Sequence, residues 1–167
     1  MVSAAAGAHP VRQTDATAML FADGRLHLHH GPIDLIVGAE GAPAAVDRAF
    51  TIATDRFNTI LDELVCELNL LRMPLGKTNC RPKGHVAGRM WEATVCHVDH
   101  YNGPDYVTLM AAVAGAVADE ILAVMCDSTN LDRAYVNNGG DIALFLNSKA
   151  ATPQQFSIGI WADPNTV

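Results

Sequence analysis

The fold class is decided by residues 17–41, "TAMLFADGRLHLHHGPIDLIVGAEG", in which two turn signals separate three apolar segments. The first signal is "ADGR", residues 22–25, and the second is the break at Gly31-Pro32. Both are residue combinations that favour turns between strands. The pattern therefore predicts a β-hairpin and a further strand, at about residues 17–22, 25–30 and 33–38.

Helical periodicity begins directly after this stretch. From Pro43 to Leu71 apolar residues recur at helical spacing and the charged residues fall elsewhere on the helical wheel, which predicts a long amphipathic helix. Residues 72–83, with two prolines and a glycine, are expected to form a loop. Two further helices are predicted, within "GHVAGRMWEATVCHV" (84–98) and "DYVTLMAAVAGAVADEILAVM" (105–125).

Three more strands are expected near the end of the chain, at Arg133 to Val136, Ile142 to Leu146 and Phe156 to Trp161. Strands followed by helices and then strands indicate an α+β fold. We expect a two-layer domain whose largely antiparallel sheet is covered by helices on one face. A doubly wound parallel sheet fits this order less well. With 167 residues, half of them apolar, the chain is expected to form one domain over residues 1–167.

Composition restricts the partners and the location. Eleven basic residues against 18 acidic residues give a net charge of −7, which argues against a broad nucleic-acid or anionic-membrane surface. Any anion site must be local. The four cysteines are dispersed without a Cys-x-x-Cys pair, as in reduced intracellular proteins. The N-terminus does not read as a signal peptide, and the longest uncharged apolar run, 106–118, is shorter than the roughly 20 residues that span a bilayer. These features predict a soluble, cytoplasmic protein.

The loop and helix from residue 72 to residue 89 stand out by charge. This segment contains five basic residues and no acidic residue: Arg72, Lys77, Arg81, Lys83 and Arg89. In an otherwise acidic chain, such segregation suits the diphosphate of a nucleotide. The alternative is an ordinary solvated basic loop.

The third predicted helix offers a second polar feature. Asp105 or Thr108 can cap its start, where unpaired N–H groups favour an anion. Small residues around Gly115 would let a strand or a flat ring approach the backbone, although tight packing of the helix against the sheet is the better explanation for them. Asp119, one helical turn after Gly115, either accepts a hydrogen bond from a ring N–H or is solvated.

The third feature is the corner "NNGGD" between the last two strands, formed by Asn137, Asn138, Gly139, Gly140 and Asp141. Asn and Gly tolerate the positive φ angles of hairpin turns. Asparagine side chains also offer donors and acceptors to a heteroaromatic edge, and glycines let that edge reach backbone N–H groups. The corner has more such residues than a plain turn requires, so a ligand contact is predicted here.

Two strings of this sequence, "LMAAVAGAVADEIL" (109–122) and "AYVNNGGDIAL" (134–144), resemble the uncharacterised ApbE-like family. Its better-known relatives are FAD-dependent flavin transferases, in which Lys-Gly-x-x-x-Asp precedes Asn-x-Gly-Gly-Asp. Gly115 and Asp119 match the first spacing, although Ala114 replaces the lysine, and residues 137–141 match the second. "GPIDLIVGA" (31–39) and "GHVAGRM" (84–90) are also similar to the uncharacterised branch.

The resemblance implies a single ApbE-like, T-fold-like domain, a ligand that is FAD or FMN, and FMN transferase-like activity. Family members extend beyond the point that corresponds to Val167, which implies that this chain is truncated. They hold Mg²⁺ with residues of that later segment, so Mg²⁺ is expected only if the native protein has it.

Metal binding is a competing possibility for part of the chain. Cys80, His85, Cys96 and His100 are metal-ligating residue types, but their spacings match no strong zinc pattern. In "HLHH", residues 27–30, His27 and His29 share one face of a strand, as expected for an exposed polar face. No serine-hydrolase elbow, P-loop or Rossmann fingerprint is present.

The resulting hypothesis is a cytoplasmic homodimer that binds a flavin or related nucleotide, with no nucleic-acid or membrane partner. The basic segment, the third helix and the corner would form the site. The alternative from another class is a non-catalytic oligomeric interaction module without a nucleotide ligand.

Overall fold

The computed structural model describes residues 15–75, 80–97, 107–150 and 154–159. The strands within these residues are β1 Thr17–Leu20, β2 Leu26–His30, β3 Ile33–Gly41, β4 Leu131–Asn138 and β5 Asp141–Leu146. The helices are α1 Pro43–Cys66, α2 Leu68–Leu71, α3 His85–Val95 and α4 Val113–Ser128. A 3-10 turn, Leu109–Ala112, leads directly into α4.

The five strands form one sheet in the order β1-β2-β3-β4-β5, and every neighbouring pair is antiparallel. β3 and β4 pair although all the helices lie between them in the sequence. The register of this pair shifts between Glu40 and Gly41, and Gly41 adopts a φ of 153°. The expected α+β fold with an antiparallel sheet is confirmed.

One face of the sheet is covered by helices. On β2, β3 and β4 alternate residues are buried on this face, as the two-residue period of a strand requires, for example Leu28, Leu35 and Val136. They share a core with residues of α1 and α4 such as Phe57 and Ile121. The side chains of alternating residues on the opposite, open face are more exposed, which confirms the two-layer arrangement.

The predicted long helix ends earlier than expected, at Cys66. Glu67 leaves helical geometry with φ −110° and ψ 10°, and the four-residue α2 follows. The Glu67 carboxylate accepts hydrogen bonds from the backbone N–H groups of Lys83 and Gly84, both at 2.8 Å. The apolar spacing continues through the break, which is why periodicity alone missed it.

The strand predicted from Phe156 to Trp161 is wrong for the residues that the structure describes, because 154–159 form no strand. Trp161 lies outside the described residues, as do Asp105 and Tyr106 at the start of the predicted third helix. Phe156 instead packs edge-on against Tyr135 and contacts the Arg133 guanidinium. The Gln155 carbonyl accepts a hydrogen bond from Arg133 Nη1 at 2.7 Å. Side-chain contacts thus hold this segment on the open face.

A buried ion cluster joins three helices. Glu120 of α4 is 6% exposed, and its carboxylate accepts hydrogen bonds from Arg56 Nε of α1 at 2.8 Å and Arg89 Nε of α3 at 2.9 Å. Arg56 also binds Glu63 with both of its Nη atoms. Burial raises the pKa of Glu120, but the hydrogen bonds and charges of the two arginines outweigh it, so the pKa lies below its ordinary value.

The helical stretch Leu109–Ser128 is long and apolar enough to cross a membrane by length and composition. Much of it is buried within the domain, however, and Glu120 in its middle is bound to two arginines. This is the pattern of a core helix and is consistent with a soluble protein.

We predict that Glu120→Ala lowers the free energy of unfolding by about 2–3 kcal/mol, because it removes a buried carboxylate that two partly buried arginines share, although Arg56 keeps Glu63 as a partner. Urea unfolding monitored by circular dichroism measures this loss. Glu92→Gln, at the exposed pair with Arg81, is the control and should change stability far less.

The same cluster predicts a pH dependence. Because folding lowers the pKa of Glu120, its stabilisation is present above the unfolded pKa near 4.5 and is lost as pH falls through the folded pKa. The stability difference between wild type and Glu120→Gln should therefore be widest near neutral pH and narrow below pH 4.5. A difference that stays constant down to acid unfolding would contradict the assignment.

A separate prediction concerns Gly38, which pairs with Tyr135 across β3 and β4. The tyrosine ring covers this glycine, and an added Cβ would lie 2.3 Å from Tyr135 Cε1. Gly38→Ala should therefore destabilise the fold by about 1–3 kcal/mol through overpacking. In a Tyr135→Ala background the same substitution should cost little, so a double-mutant cycle by urea unfolding should show strong coupling. Additive effects would disprove the contact.

Candidate functional site

The structure sorts the predicted site residues into two groups on different sides of α4. Gly115 and Glu120 differ by five positions in α4, and at 3.6 residues per turn they point about 140° apart. The Gly115 side faces the corner between β4 and β5, and the Glu120 side binds Arg89 of the basic segment. The basic segment and the corner therefore do not form one continuous surface.

Three of the predicted basic residues lie together. Arg81, Lys83 and Arg89 line a concave region of about 470 Å³ at the start of α3, which we call the α3 pocket. Its remaining lining residues are Pro82, Gly84, His85, Gly88 and Glu92. Three cationic side chains thus surround this pocket against one carboxylate.

The cations of the α3 pocket differ in their partners. Arg81 binds Glu92 in an exposed ion pair, and Arg89 uses Nε to bind the buried Glu120. Lys83 forms no ion pair with the residues that the structure describes. Glutamates from outside the basic segment therefore neutralise part of its positive charge in the folded protein. The local sequence did not reveal these partners.

The start of α3 has backbone donors. Gly84 is the N-cap residue and provides no side-chain cap, so the first-turn N–H groups receive no side-chain acceptor from it. The preceding N–H groups, of Lys83 and Gly84, already bind the Glu67 carboxylate. A protein carboxylate thus occupies part of an anion-attracting helix start.

Of the other two basic residues of the segment, the structure describes one. Arg72 follows α2 as its C-cap residue and is exposed, and it does not line the α3 pocket. Lys77 is outside the described residues. The α3 pocket therefore contains three of the four cations of the basic segment that the structure describes.

The corner is a two-residue hairpin turn between Asn138 and Asp141. Gly139 and Gly140 adopt φ angles of 61° and 108°, and nothing lies within 4 Å of where their Cβ atoms would be. Asn137 Oδ1 accepts a hydrogen bond from the Gly140 N–H at 2.9 Å. The positive φ angles of the turn favour glycine at both positions, and Asn137 closes the turn with its side chain.

Asn138 attaches this corner to α4. It is 8% exposed, and its Nδ2 donates to the carbonyl of Ala114 at 3.1 Å. A Cβ added to Gly115 would lie 3.8 Å from Asp141 Oδ1, an ordinary contact distance, so the hairpin tip packs beside this residue without requiring a glycine.

The last two predicted residues lie apart from these contacts. Thr108 Oγ1 accepts a hydrogen bond from the Met110 N–H at 3.3 Å and caps the 3-10 turn, as expected for a capping residue. Its backbone also forms an isolated bridge with Pro74. Asp119 is exposed on α4, one turn beyond Gly115.

No metal centre is evident in the described part of the chain, because it contains no group of three or more His, Cys, Asp or Glu side chains arranged to hold an ion. His100, one of the four residues considered for zinc, lies outside that part. His27 Nε2 instead contacts Asp34 Oδ1 at 2.9 Å on the open face of the sheet.

Pattern reasoning missed the three glutamates that contact the basic segment. Glu67, Glu92 and Glu120 are 11 to 31 positions away along the chain from the residues that they bind. Each lies in or beside a helix, where an acidic residue reads as ordinary surface charge. Glu120 was the one glutamate whose role the sequence could have indicated, because it lies in the most apolar helix and a carboxylate there needs a partner.

A second concave region, of about 750 Å³, lies on the open face near Tyr135 and Phe156. Its charged residues bind one another, Arg25 with Asp23 and Arg133 with Glu40. Because these charges compensate, this region does not favour an anion as the α3 pocket does.

The corner generates a prediction about stability in the absence of any ligand. Gly139→Ala and Gly140→Ala should each destabilise the protein by about 1 kcal/mol, because an L-residue is strained at positive φ. Thermal unfolding measures the effect. Gly159→Ala is the matched control, since no atom lies within 4 Å of its Cβ position and its φ is not positive. Unchanged stability of both corner variants would show that the turn geometry is not required.

Comparison with known proteins corrects the family assignment. The family model described as AbpE bacteria matches residues 18–167. No curated protein and no solved structure matched the chain. The expected resemblance to the ApbE-like family is wrong, because the matching model has a similar name but is a different family. One of the motifs on which it rested, "NNGGD", has a conformational role in Gly139 and Gly140, and its Asn138 contacts α4. The chain belongs to the AbpE bacteria family.

Proposed function

We propose that this protein binds a small phosphorylated ligand, such as a nucleotide, in the α3 pocket, and FAD and FMN are the nucleotides with which the proposal is tested below. The observation that carries the proposal is the convergence of Arg81, Lys83 and Arg89 around one concave region at the start of a helix. Guanidinium and ammonium groups at a helix N-terminus are the usual partners of phosphate.

Each cation has a distinct role in this proposal. Arg89 remains bound to Glu120 through Nε and has its Nη donors for phosphate, since a guanidinium carries five N–H groups. Arg81 exchanges its exposed pair with Glu92 for the ligand at low cost, because such pairs contribute little to stability. Lys83 gives up no ion pair with the described residues.

The overall charge supports a small ligand. A net charge of −7 repels nucleic acid and anionic membranes, whereas a compact anion interacts mainly with the local cations. The four dispersed cysteines contain no Cys-x-x-Cys pair, which suits the cytoplasm, where nucleotides are abundant. Transferase chemistry and a Mg²⁺ site are not included in the proposal, because both rested on the family resemblance that the comparison overturned.

The proposal predicts a selective loss of phosphate binding. Arg81→Ala and Lys83→Ala should each weaken FAD binding by about tenfold or more, because charge-assisted contacts with phosphate contribute roughly 1.5–3 kcal/mol. Riboflavin, which has no phosphate, should bind almost equally to wild type and both variants. Calorimetric titration of the same samples with FAD, FMN and riboflavin measures these differences.

Two matched variants test the location of the site. Arg72→Ala removes a cation of the same segment outside the α3 pocket and should leave FAD binding unchanged. Glu92→Gln removes the carboxylate that competes for Arg81 and should strengthen binding. Equal losses for FAD and riboflavin, or a loss with Arg72→Ala as large as with Arg81→Ala, would reject the phosphate assignment.

A further inference from the structure

In the sheet that the described residues form, β5 is an edge strand with an apolar open face. Ile142, Leu144 and Leu146 are 46%, 45% and 44% exposed, and their alternation places all three on the face opposite the helices. Ala143, between the first two, is buried beneath the helices. A soluble domain thus presents a row of large aliphatic side chains along a sheet edge.

The same three residues direct their backbone groups outwards. The two-residue hairpin closes on the pair Asn138–Asp141, whose N–H and C=O groups bond each other in turns of this kind. Odd-numbered residues of β5 therefore bond β4, and the Asn147 N–H continues this pattern by donating to the Asp132 carbonyl at 2.9 Å. The N–H and C=O groups of Ile142, Leu144 and Leu146 consequently point away from β4, towards the free edge.

β5 lacks the features that usually prevent edge pairing. Between Ile142 and Leu146 there is no charged residue, no proline and no bulge. The opposite edge strand, β1, is only four residues long. The edge of β5 is therefore the part of the described sheet best suited to add another strand.

We propose that the occupant is a second copy of this chain, whose β5 pairs antiparallel with β5 across a two-fold axis at Leu144. This register places Leu144 opposite its copy and Ile142 opposite Leu146 of the partner, so all three outward-directed residues have a hydrogen-bonding partner. Shifting the register by one residue would place these three residues opposite residues whose backbone groups already bond β4. It would also place the apolar side chains of one copy beside side chains that lie on the helix-covered face of the other. The strand is thus complementary to itself.

Charge at the two ends of the strand supports the antiparallel arrangement. Asp141 begins β5, and the exposed Lys149 follows its end. The two-fold axis brings the acidic end of one strand to the basic end of the other, whereas identical ends would repel one another. The resulting dimer has a continuous ten-stranded sheet, and the proposal does not depend on the α3 pocket or its ligand.

The oligomeric state tests this interface. Light scattering coupled to gel filtration, on the full chain at micromolar concentration, should give twice the monomer mass of 17.8 kDa. Leu144→Lys should give 17.8 kDa, because it places a charge on the two-fold axis of the interface. Met19→Lys is the matched control on the open face of the opposite edge, where the methionine is 59% exposed, and should remain dimeric. A monomeric wild type, or a folded Leu144→Lys variant that stays dimeric, would overturn the proposal.

Cross-linking keeps the test decisive if Leu144→Lys fails to fold. Hydrogen-bonded antiparallel partners have Cα atoms about 5.5 Å apart, within the range that a disulfide spans. Leu144→Cys should therefore form a covalent dimer on mild oxidation, beyond the background of the unmodified chain with its four cysteines. Ile142→Cys should not, because four residues of offset separate it from its own copy. Equal cross-linking of the two variants would contradict the register and the interface.

Discussion

One buried carboxylate, that of Glu120, constrains the helical layer of this protein. A carboxylate in an apolar helix is tolerated only when it is fully paired, and here Arg56 and Arg89 approach it from two other helices. The three helices are therefore held in one relative arrangement by hydrogen-bond geometry as well as by apolar packing. Because hydrogen bonds are directional and apolar contacts are not, the ion cluster restricts this arrangement in addition to the packing.

The cluster also connects the core to the α3 pocket. Arg89 is held at the pocket by a bond on the side of the guanidinium that faces the core, so its position does not depend on a ligand. On the other side of α4, the hairpin tip docks through Asn138 against Ala114. Helix α4 thus positions two separate polar regions, the α3 pocket and the hairpin tip, which the sequence analysis had assigned to a single site.

Local patterns predicted much of the fold, because hairpins and amphipathic helices depend on near neighbours. The turns at Gly31 and at Gly139-Gly140 are cases in which the residue types and positive φ angles agree. The break at Glu67 could not be predicted in this way, since its cause is a contact with residues 83 and 84. The ion partners of Arg81 and Arg89 were missed for the same reason. The corner misled the family assignment because residues that form a tight turn recur in unrelated proteins for conformational reasons.

The pairing of β3 with β4 has a consequence for how the chain folds. Glu40 and Arg133, which form an ion pair across these strands, are 93 positions apart. The sheet therefore consists of two locally connected pieces, β1 to β3 and the β4–β5 hairpin, which meet only after the intervening helices have been synthesised. Closing so long a loop slows folding, and the edge of β3 remains unpaired in the nascent chain until β4 emerges. During synthesis, aggregation risk is thus concentrated at the centre of the finished sheet, in a strand that the native protein shields on both edges.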